Sequence, residues 1–348
     1  MDTPALKTLF DADFMVGAAV GNTIATDEGL QKERDVLATH FNVVTPENQM
    51  KWGPVHPEPG RYAFEDADAL VALAELNGMK LTGHTLVWHS RQTPEWVYED
   101  TEGNDLSRDA LLDRMREHIH TVVGRYRGRM HGWDVVNEAV VNEGVRESRW
   151  RHIIGDDLIE RAFHFAHEAD PDAELYYNDY GMAHPQKRRH VVDLLKRLRD
   201  TCPRIDAVGI QGHWLLQTPA VADIEASIDA FAATGVKVMI TELDVSVLPR
   251  RTQGADTDSR ETSEADMNPY TAGLPGEIET ELAERYADLF RLFLRYRDVL
   301  TRVAFWGVTD GHSWLNNFPI RGRTDYPLLF DRACAPKPAF DAVARLRS

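Results

Sequence analysis

The chain has 348 residues, of which 43% are hydrophobic and 27% charged, and its formal net charge is −17. This length suits one large α/β barrel with a sizeable core. The negative charge and the lack of a basic cluster argue against nucleic acid, whose binding depends on neutralising phosphates, and give no reason to propose a membrane surface. Neutral ligands stay open, and the acidic excess is compatible with ordinary solubility or with a saline habitat.

The first residues, MDTPALKTLFDADFMVG, show no basic region followed by a long apolar stretch. No signal peptide is visible, and we expect a cytoplasmic location. No segment approaches the roughly 20 apolar residues that a membrane-spanning helix needs. Cys202 and Cys334 have no metal-like spacing, and two reduced thiols are the preferred interpretation, with a disulfide between them as the alternative.

Eight apolar, β-branched or aromatic runs recur along the chain and predict eight strands. In chain order they are FMVGAAV from Phe14, NVVTP from Asn42, MKLTGHTLVWH from Met79, GWDVVNEA from Gly132, ELYYNDYG from Glu174, AVGIQGHW from Ala207, VKVMITELDV from Val236 and RVAFWGVTDG from Arg302. Segments with helical periodicity separate the runs. In the clearest of these, Ser107 is placed to cap a helix whose apolar stripe extends to Tyr126.

About eight strand–helix repeats without a break in composition predict a parallel sheet, open or closed. No GxGxxG follows the first run and no GxxxxGK motif occurs, so an open nucleotide-binding sheet lacks its best signature. We therefore predict an α/β fold, a (β/α)8 TIM barrel, as a single catalytic domain over residues 1–348. The polar, acidic stretch 249–276 interrupts the rhythm and is either a solvated loop or a lid that contacts substrate.

Two of the predicted strands end in carboxylates. The motif WDVVNEA ends the fourth with Glu138, and ITELD ends the seventh with Glu242. Parallel barrel strands all point the same way, so both side chains should open into one cleft. A lone strand-end glutamate could form a structural ion pair, but a facing pair suits glycoside cleavage, in which one carboxyl protonates the departing oxygen and the other attacks the anomeric carbon or activates water.

Neighbouring residues indicate which carboxyl is charged. Glu242 and Asp244 share a face of one strand, and GIQGHW supplies Gln211 and His213 beside them. A chain Asp244–His213–Glu242 would hold Glu242 ionised and oriented as a nucleophile, whereas a histidine bonded to a backbone carbonyl is the alternative. Glu138 lacks a cationic neighbour in its own strand, which fits a raised pKa and an acid/base role.

A sugar site combines aromatic platforms with convergent polar groups. Asn137 could bond the sugar hydroxyl next to the reacting centre. Any single Trp at a strand end could equally belong to the core, but polar and aromatic residues stand together at most of the predicted strand ends. They are Glu47, Asn48, Lys51, Trp52, His84, Trp88, His89, Gln92, Trp96, Asn178, Tyr180, Trp306 and Trp314.

From about Phe14 to Phe340 the chain closely resembles the endo-1,4-β-xylanases of glycoside hydrolase family 10, through PENQMKW, GHTLVWHS, WDVVNEA, YYNDYG, GIQGHW, ITELD, FWGVTDGHSWL and PLLFD. The resemblance implies a TIM barrel that hydrolyses xylan or xylo-oligosaccharides. It implies that Glu138 is the acid/base and Glu242 the nucleophile of a retaining double displacement. Among family members the chain is most similar to bacterial intracellular xylanases, which act on short imported oligosaccharides. We expect no cofactor and no metal.

The resemblance also implies residue roles around the substrate. The sugar undergoing cleavage would be surrounded by Asn137, Gln211, His213 and Trp306. The xylose units on the non-reducing side would be bound by Glu47, Asn48, Lys51, His84 and Trp88. Trp314 matches a bulky position that crowds the hydroxymethyl group of glucose. Arg91 departs from the usual family motif, so that Gln92 either takes the sugar-binding role of the family glutamine or loses it to Arg91, which could favour acidic decorations.

Three other functions stay open. A β-glucanase or cellobiohydrolase-like enzyme could use the same barrel and carboxylates. A sugar-binding barrel without catalysis is a second, although the intact pair Glu138 and Glu242 speaks against it. A metal-dependent hydrolase using His84, His89 and His213 is a third, but there is no HExxH motif, and His84 and His89 should face opposite sides of a strand. The sequence leaves the oligomeric state open.

Overall fold

The computed structural model describes residues 4–250 and 265–347. The strands are β1 (Met15–Val20), β2 (Val43–Pro46), β3 (Lys80–Trp88), β4 (Gly132–Asn137), β5 (Val140–Val141), β6 (Gly144–Val145), β7 (Glu174–Asp179), β8 (Ala207–Leu215), β9 (Lys237–Ser246) and β10 (Leu300–Phe305). Eight of them close into a parallel barrel in the order β1-β10-β9-β8-β7-β4-β3-β2, and β5 and β6 form a separate antiparallel hairpin. The predicted TIM barrel is confirmed.

Helices connect the strands on the outside of the barrel. They are α1 (Leu6–Leu9), α2 (Gln31–His40), α3 (Trp52–Val55), α4 (Glu65–Leu76), α5 (Arg108–Arg125), α6 (Arg149–Ile154), α7 (Leu158–Ala169), α8 (Pro185–Thr201), α9 (Val221–Ala232), α10 (Gly276–Arg295) and α11 (Pro338–Ala344). Ser107 caps α5 as predicted, because its hydroxyl accepts a hydrogen bond from the Ala110 N–H. Both α5 and α10 bury an apolar stripe against the barrel.

The strand register brings polar residues together at the carboxyl end of the barrel. Asn137 at the end of β4 pairs with Asn178 on β7, and His213 on β8 pairs with Asp244 on β9. The β8–β9 ladder shifts register between Gln211 and His213, so the side chains beyond the shift are re-aimed relative to an ideal ladder. This end of the barrel therefore carries the candidate site.

A stack of buried aromatic rings lies between α3 and α5. The rings of Trp52 and His118 are 3.6 Å apart, and those of His56 and Tyr62 are 3.9 Å apart. The Nδ1 atoms of His56 and His118 approach to 3.2 Å, so the two imidazoles share one hydrogen bond. Burial lowers the pKa of His56 to about 4 and the pKa of His118 well below its ordinary value. Both rings are therefore neutral at pH 7.

Three remaining features qualify the sequence predictions. Cys202 and Cys334 are free thiols, as preferred. Within the described residues, no helix is long and apolar enough to cross a membrane. Of the predicted loop 249–276, residues 251–264 lie outside the described part of the chain, and a short turn at Ala265–Met267 precedes α10. The choice between a solvated loop and a lid therefore stays open.

Candidate active site

A cleft of about 540 Å³ opens at the carboxyl end of the barrel. Its lining comes from the ends of most barrel strands and the loops that follow them. The lining residues are Glu47, Asn48, Lys51, His84, Trp88, Gln92, Asn137, Glu138, Gln211, His213, Glu242, Trp306 and Trp314. The structure therefore brings Glu138 and Glu242, far apart in sequence, into one cleft, although Glu242 lies within β9 and not at its end as predicted.

Glu242 on β9 is held by two donors, one on each carboxylate oxygen. Asn178 Nδ2 donates to Oε1 at 2.7 Å, and His213 Nε2 lies 2.9 Å from Oε2. Burial opposes the charge, but the bonds from His213 and Asn178 and the nearby His84 outweigh it and lower the pKa of Glu242. The side chain is therefore an oriented carboxylate.

The imidazole of His213 joins Glu242 to Asp244. Its Nδ1 lies 2.9 Å from Asp244 Oδ2, and its side chain is only 4% exposed. Burial alone would lower the pKa of this ring, but Asp244 and Glu242 together raise the pKa to about 9. At neutral pH the ring is an imidazolium that donates to both carboxylates, in the arrangement expected from the sequence.

Glu138 occupies a different environment. Its carboxyl accepts hydrogen bonds from Trp88 Nε1 at 2.9 Å and from Gln211 Nε2 at 3.1 Å. Burial, reinforced by the negative charges of Asp179 and Glu242, raises the pKa of Glu138 to about 7. The two glutamates thus differ in proton affinity in the sense that general acid catalysis beside a charged nucleophile requires.

Side-chain amides bridge the two carboxyls. Asn178 Nδ2 donates both to Glu242 and to Asn137 Oδ1, the latter at 3.1 Å, and Gln211 Nε2 donates to the same Asn137 oxygen at 3.2 Å and to Glu138. A Cβ at Gly209 would lie 2.4 Å from Asn178 Oδ1, so glycine makes room for this amide. The bridge fixes both carboxyls relative to Asn137.

Both glutamates have left-handed backbone conformations. The φ angle is 59° at Glu138 and 57° at Glu242, a region that costs a residue with a side chain about 1–3 kcal/mol. Glu138 directly follows β4, and Glu242 lies within β9 where the β8–β9 register shifts, so a local irregularity at each position redirects the carboxyl into the cleft. Such strained positions concentrate at functional sites.

The other end of the cleft holds a buried lysine among acceptors. Lys51 Nζ donates to Asn48 Oδ1 at 3.1 Å and lies 4.9 Å from the centre of the Trp88 ring. Burial lowers the pKa of Lys51, although Glu47, Glu242 and Glu138 act in the opposite direction. Burial likewise raises the pKa of Glu47, against the effect of Lys51. These groups can hydrogen-bond several hydroxyls of a neutral ligand.

His84 and the two tryptophans complete the walls. His84 Nδ1 donates to Asp134 Oδ2 at 2.8 Å, which fixes the orientation of the ring. Trp306 packs edge-on against both His84 and His213. Trp314 donates its indole N–H to Asp244 Oδ2 at 2.8 Å, so the same carboxylate that orients His213 also fixes this tryptophan.

Several residues proposed from the sequence lie elsewhere. Two of them, Tyr180 and Asp244, do not line the cleft. The Tyr180 hydroxyl accepts a hydrogen bond from Arg146, and Asp244 acts from behind His213. Gln92 lines the cleft, whereas the exposed Arg91 is outside this lining.

Two tryptophans proposed as cleft residues belong to the aromatic stack instead. Trp52 packs on His118, and Trp96 lies edge-on to His56 while donating its indole N–H to the Pro57 carbonyl. The apolar surroundings of both rings explain this placement, because the stack buries them beside α5. His89 packs edge-on against Trp88 outside the cleft lining.

Comparisons with known proteins agree on one family. Residues 5–346 match the family described as Glycosyl hydrolase family 10. The chain is 44% identical over 346 residues to an endo-1,4-beta-xylanase of Geobacillus stearothermophilus, which covers 99% of this chain and 98% of that protein. It is 45% identical over 347 residues to endo-1,4-beta-xylanase A of Xylanibacter ruminicola, with 99% and 93% covered. A solved GH10 endoxylanase retrieved from a sugarcane soil metagenome superposes with a TM-score of 0.95 at 42% identity, covering 98% of this chain and 100% of that one.

Proposed function

The chain belongs to glycosyl hydrolase family 10 and is a glycoside hydrolase with endo-1,4-β-xylanase activity, and we propose that it cleaves β-1,4-xylosidic bonds by a retaining double displacement. The observation that carries the mechanism is the opposite perturbation of two carboxyls in one cleft. The pKa of Glu138 is raised to about 7, and that of Glu242 is lowered. One carboxyl therefore holds a proton at the pH at which the other is charged.

In the first step, the Glu242 carboxylate attacks the anomeric carbon as the bond from that carbon to the glycosidic oxygen breaks. Glu138 gives its proton to the departing oxygen, so that the leaving sugar departs as a neutral alcohol. The products are a glycosyl ester on Glu242 and an ionised Glu138. Asn178 and His213 support this assignment because they hold the attacking carboxylate in one orientation.

In the second step, Glu138 accepts a proton from water as the water oxygen attacks the anomeric carbon. The ester bond breaks and returns the electron pair to Glu242 as a carboxylate. Glu138 recovers its proton in the same step, so the enzyme ends as it began. Attack from opposite faces in the two steps gives a product with the β configuration of the substrate.

Asn137 is the candidate partner of the sugar hydroxyl beside the reacting carbon. Its Oδ1 already accepts from both Asn178 and Gln211, which leaves its amide nitrogen to donate toward a sugar. A bond to this hydroxyl strengthens in the transition state and, together with distortion of the sugar ring, contributes on the order of several kcal/mol.

The remaining cleft residues support binding of a neutral oligosaccharide. Glu47, Asn48 and Lys51 supply donors and acceptors on the side that we assign to the non-reducing sugars. Trp314, fixed by Asp244, is the candidate wall that excludes the hydroxymethyl group of glucose. A preference for short oligosaccharides and a cytoplasmic location stay predictions.

Product analysis tests the mechanism and the substrate together. Proton NMR of fresh hydrolysates of xylohexaose should show the β-anomer first, with the α-anomer appearing only by mutarotation. Glucuronoxylan should also be cleaved, and carboxymethylcellulose should be a far poorer substrate. If the α-anomer forms first, the enzyme inverts and the proposed retaining mechanism is wrong. Comparable rates on glucuronoxylan and carboxymethylcellulose would favour a β-glucanase.

A further inference from the structure

Arg146 follows the β5–β6 hairpin and returns to the residue that supplies the candidate acid. Its Nε donates to the backbone carbonyl of Glu138 at 3.1 Å, and its backbone N–H donates to the Ala139 carbonyl at 2.7 Å. Its Nη2 donates to the Tyr180 hydroxyl at 3.0 Å. The guanidinium therefore joins the backbone of Glu138 to the end of β7.

Glu138 needs such support because its conformation is strained. Its φ angle is 59°, and its own N–H donates to the Asn178 carbonyl at 2.9 Å. With the carbonyl held by Arg146, both peptide groups of Glu138 are fixed. A charge-assisted hydrogen bond of this kind contributes about 1.5–3 kcal/mol, which is similar to the cost of the left-handed backbone.

We propose that Arg146 is a positioning residue that keeps Glu138 in its left-handed conformation, so that the carboxyl stays between Trp88 and Gln211 and aims at the leaving oxygen. The proposal rests on the acid/base role assigned to Glu138. Without the guanidinium the backbone relaxes toward an extended conformation and the carboxyl moves away from its two donors. A displacement of about 1 Å costs about 100-fold in a reaction that depends on geometry.

The experiment compares three variants with the wild-type enzyme. Arg146→Met removes the bond to Glu138, and Arg146→Lys keeps a charged donor. Arg151→Met is the matched control, because Arg151 Nη1 donates to the Val145 carbonyl of the same hairpin and to Glu147, while its Nε and Nη2 donate to Asp156. Each is assayed on xylohexaose, which needs protonation of its leaving group, and on a dinitrophenyl β-xylobioside, which does not.

For Arg146→Met we expect kcat/KM to fall about 100-fold on xylohexaose and less than 5-fold on the dinitrophenyl substrate. The basic limb of the xylohexaose pH profile should move to higher pH. The Arg146 charge and the hydrogen bonds from Trp88 and Gln211 all lower the pKa of Glu138, and the variant weakens them while the carboxylates Asp179 and Glu242, which raise this pKa, stay in place. Arg146→Lys should recover part of the loss, and Arg151→Met should match the wild type in both readouts.

Equal losses of Arg146→Met on the two substrates, or an unmoved basic limb, would show a general structural role and overturn the proposal. The same pattern in Arg151→Met would assign the effect to the hairpin as a whole. If Arg146→Met does not fold, as judged by thermal melting, Arg146→Gln replaces it because it too lacks the charge, and a wild-type ratio between the two substrates in that variant would be equally decisive against the proposal. The acid/base assignment itself is tested separately with Glu138→Ala. It fails if the ratio of rates on the two substrates is the same in this variant as in the wild-type enzyme.

Discussion

Removing the positive charge of His213 tests the nucleophile assignment most directly. The pKa of this ring is raised from 6.5 to about 9, which corresponds to about 3 kcal/mol in favour of the imidazolium. The stabilisation comes from two carboxylates, Asp244 and Glu242. Because the interaction between the ring and Glu242 is reciprocal, the imidazolium that Glu242 favours must in turn lower the pKa of Glu242.

His213→Gln removes the charge while keeping an amide N–H that can reach Glu242. We expect the pKa of Glu242 to rise, so that the carboxylate is lost at a higher pH. The acid limb of kcat/KM should therefore move to higher pH, with activity below this limb reduced tenfold for each pH unit of the displacement.

The assay is the pH dependence of kcat/KM on a dinitrophenyl β-xylobioside, because an acidic leaving group makes the proton of Glu138 unnecessary. The exposed His164, which bonds the Thr201 carbonyl on the outside of the barrel, provides the control His164→Gln. An acid limb in His213→Gln at the wild-type position, or at lower pH, would refute the argument that His213 holds Glu242 ionised.

Three further outcomes are expected. Above pH about 7 the wild-type kcat/KM on xylohexaose should fall tenfold per pH unit as Glu138 loses its proton, and Glu138→Ala assayed on the dinitrophenyl substrate should lack this limb. Glu242→Ala should be inactive alone and, with azide and an activated substrate, should give the α-configured glycosyl azide; a β product would reject Glu242 as the nucleophile. The free energy of unfolding, measured in urea, should keep the full contribution of His56 above pH 6.5 and lose it as the pH falls toward about 4. The loss is on the order of 3 kcal/mol from His56 alone, because the unfolded chain takes up a proton that the folded chain excludes. His118→Phe should shrink this loss, and an equal loss in both proteins would contradict the role of the histidine pair.

The barrel could be predicted because its strands are buried on both faces and appear as continuous apolar runs. Each of the eight runs contains a barrel strand, and the observed boundaries differ from the predicted ones by at most two residues, except that the last run extends from Arg302 to Gly311 whereas β10 ends at Phe305. The hairpin of β5 and β6 was not predicted. Its two-residue strands are too short to show an alternating pattern, although Gly144, with a φ of 130°, follows directly after its turn.

The cleft was anticipated to the extent that it depends on strand direction. Residues at the carboxyl ends of parallel strands must meet, and Glu138, Glu242 and His213 do so. The contacts that orient them were harder to see. Asn178 was recognised at a strand end but not as the bridge between the two glutamates, because that role depends on the register of β4, β7 and β9 together. The bond from His84 to Asp134 has no signal in the spacing of either residue.

The placement of Tyr180 marks another limit. Its position after β7 predicted a residue that faces the sugar, but its hydroxyl is held by Arg146 and its ring lies 4.0 Å from Lys187 Nζ. Arg146 belongs to a connection whose path cannot be read from periodicity. A sequence pattern locates the end of a strand, whereas the loop partner that captures a side chain there depends on tertiary packing.

The left-handed backbones of Glu138 and Glu242 serve catalysis at a cost in thermal stability. At both positions glycine would adopt the same torsion without steric conflict, and it would leave no acidic group to desolvate. Selection for stability alone would therefore favour a more stable but inactive barrel, as is common where activity and stability compete. Engineering a heat-tolerant variant should accordingly leave these two positions unchanged and seek its gains in the outer helices.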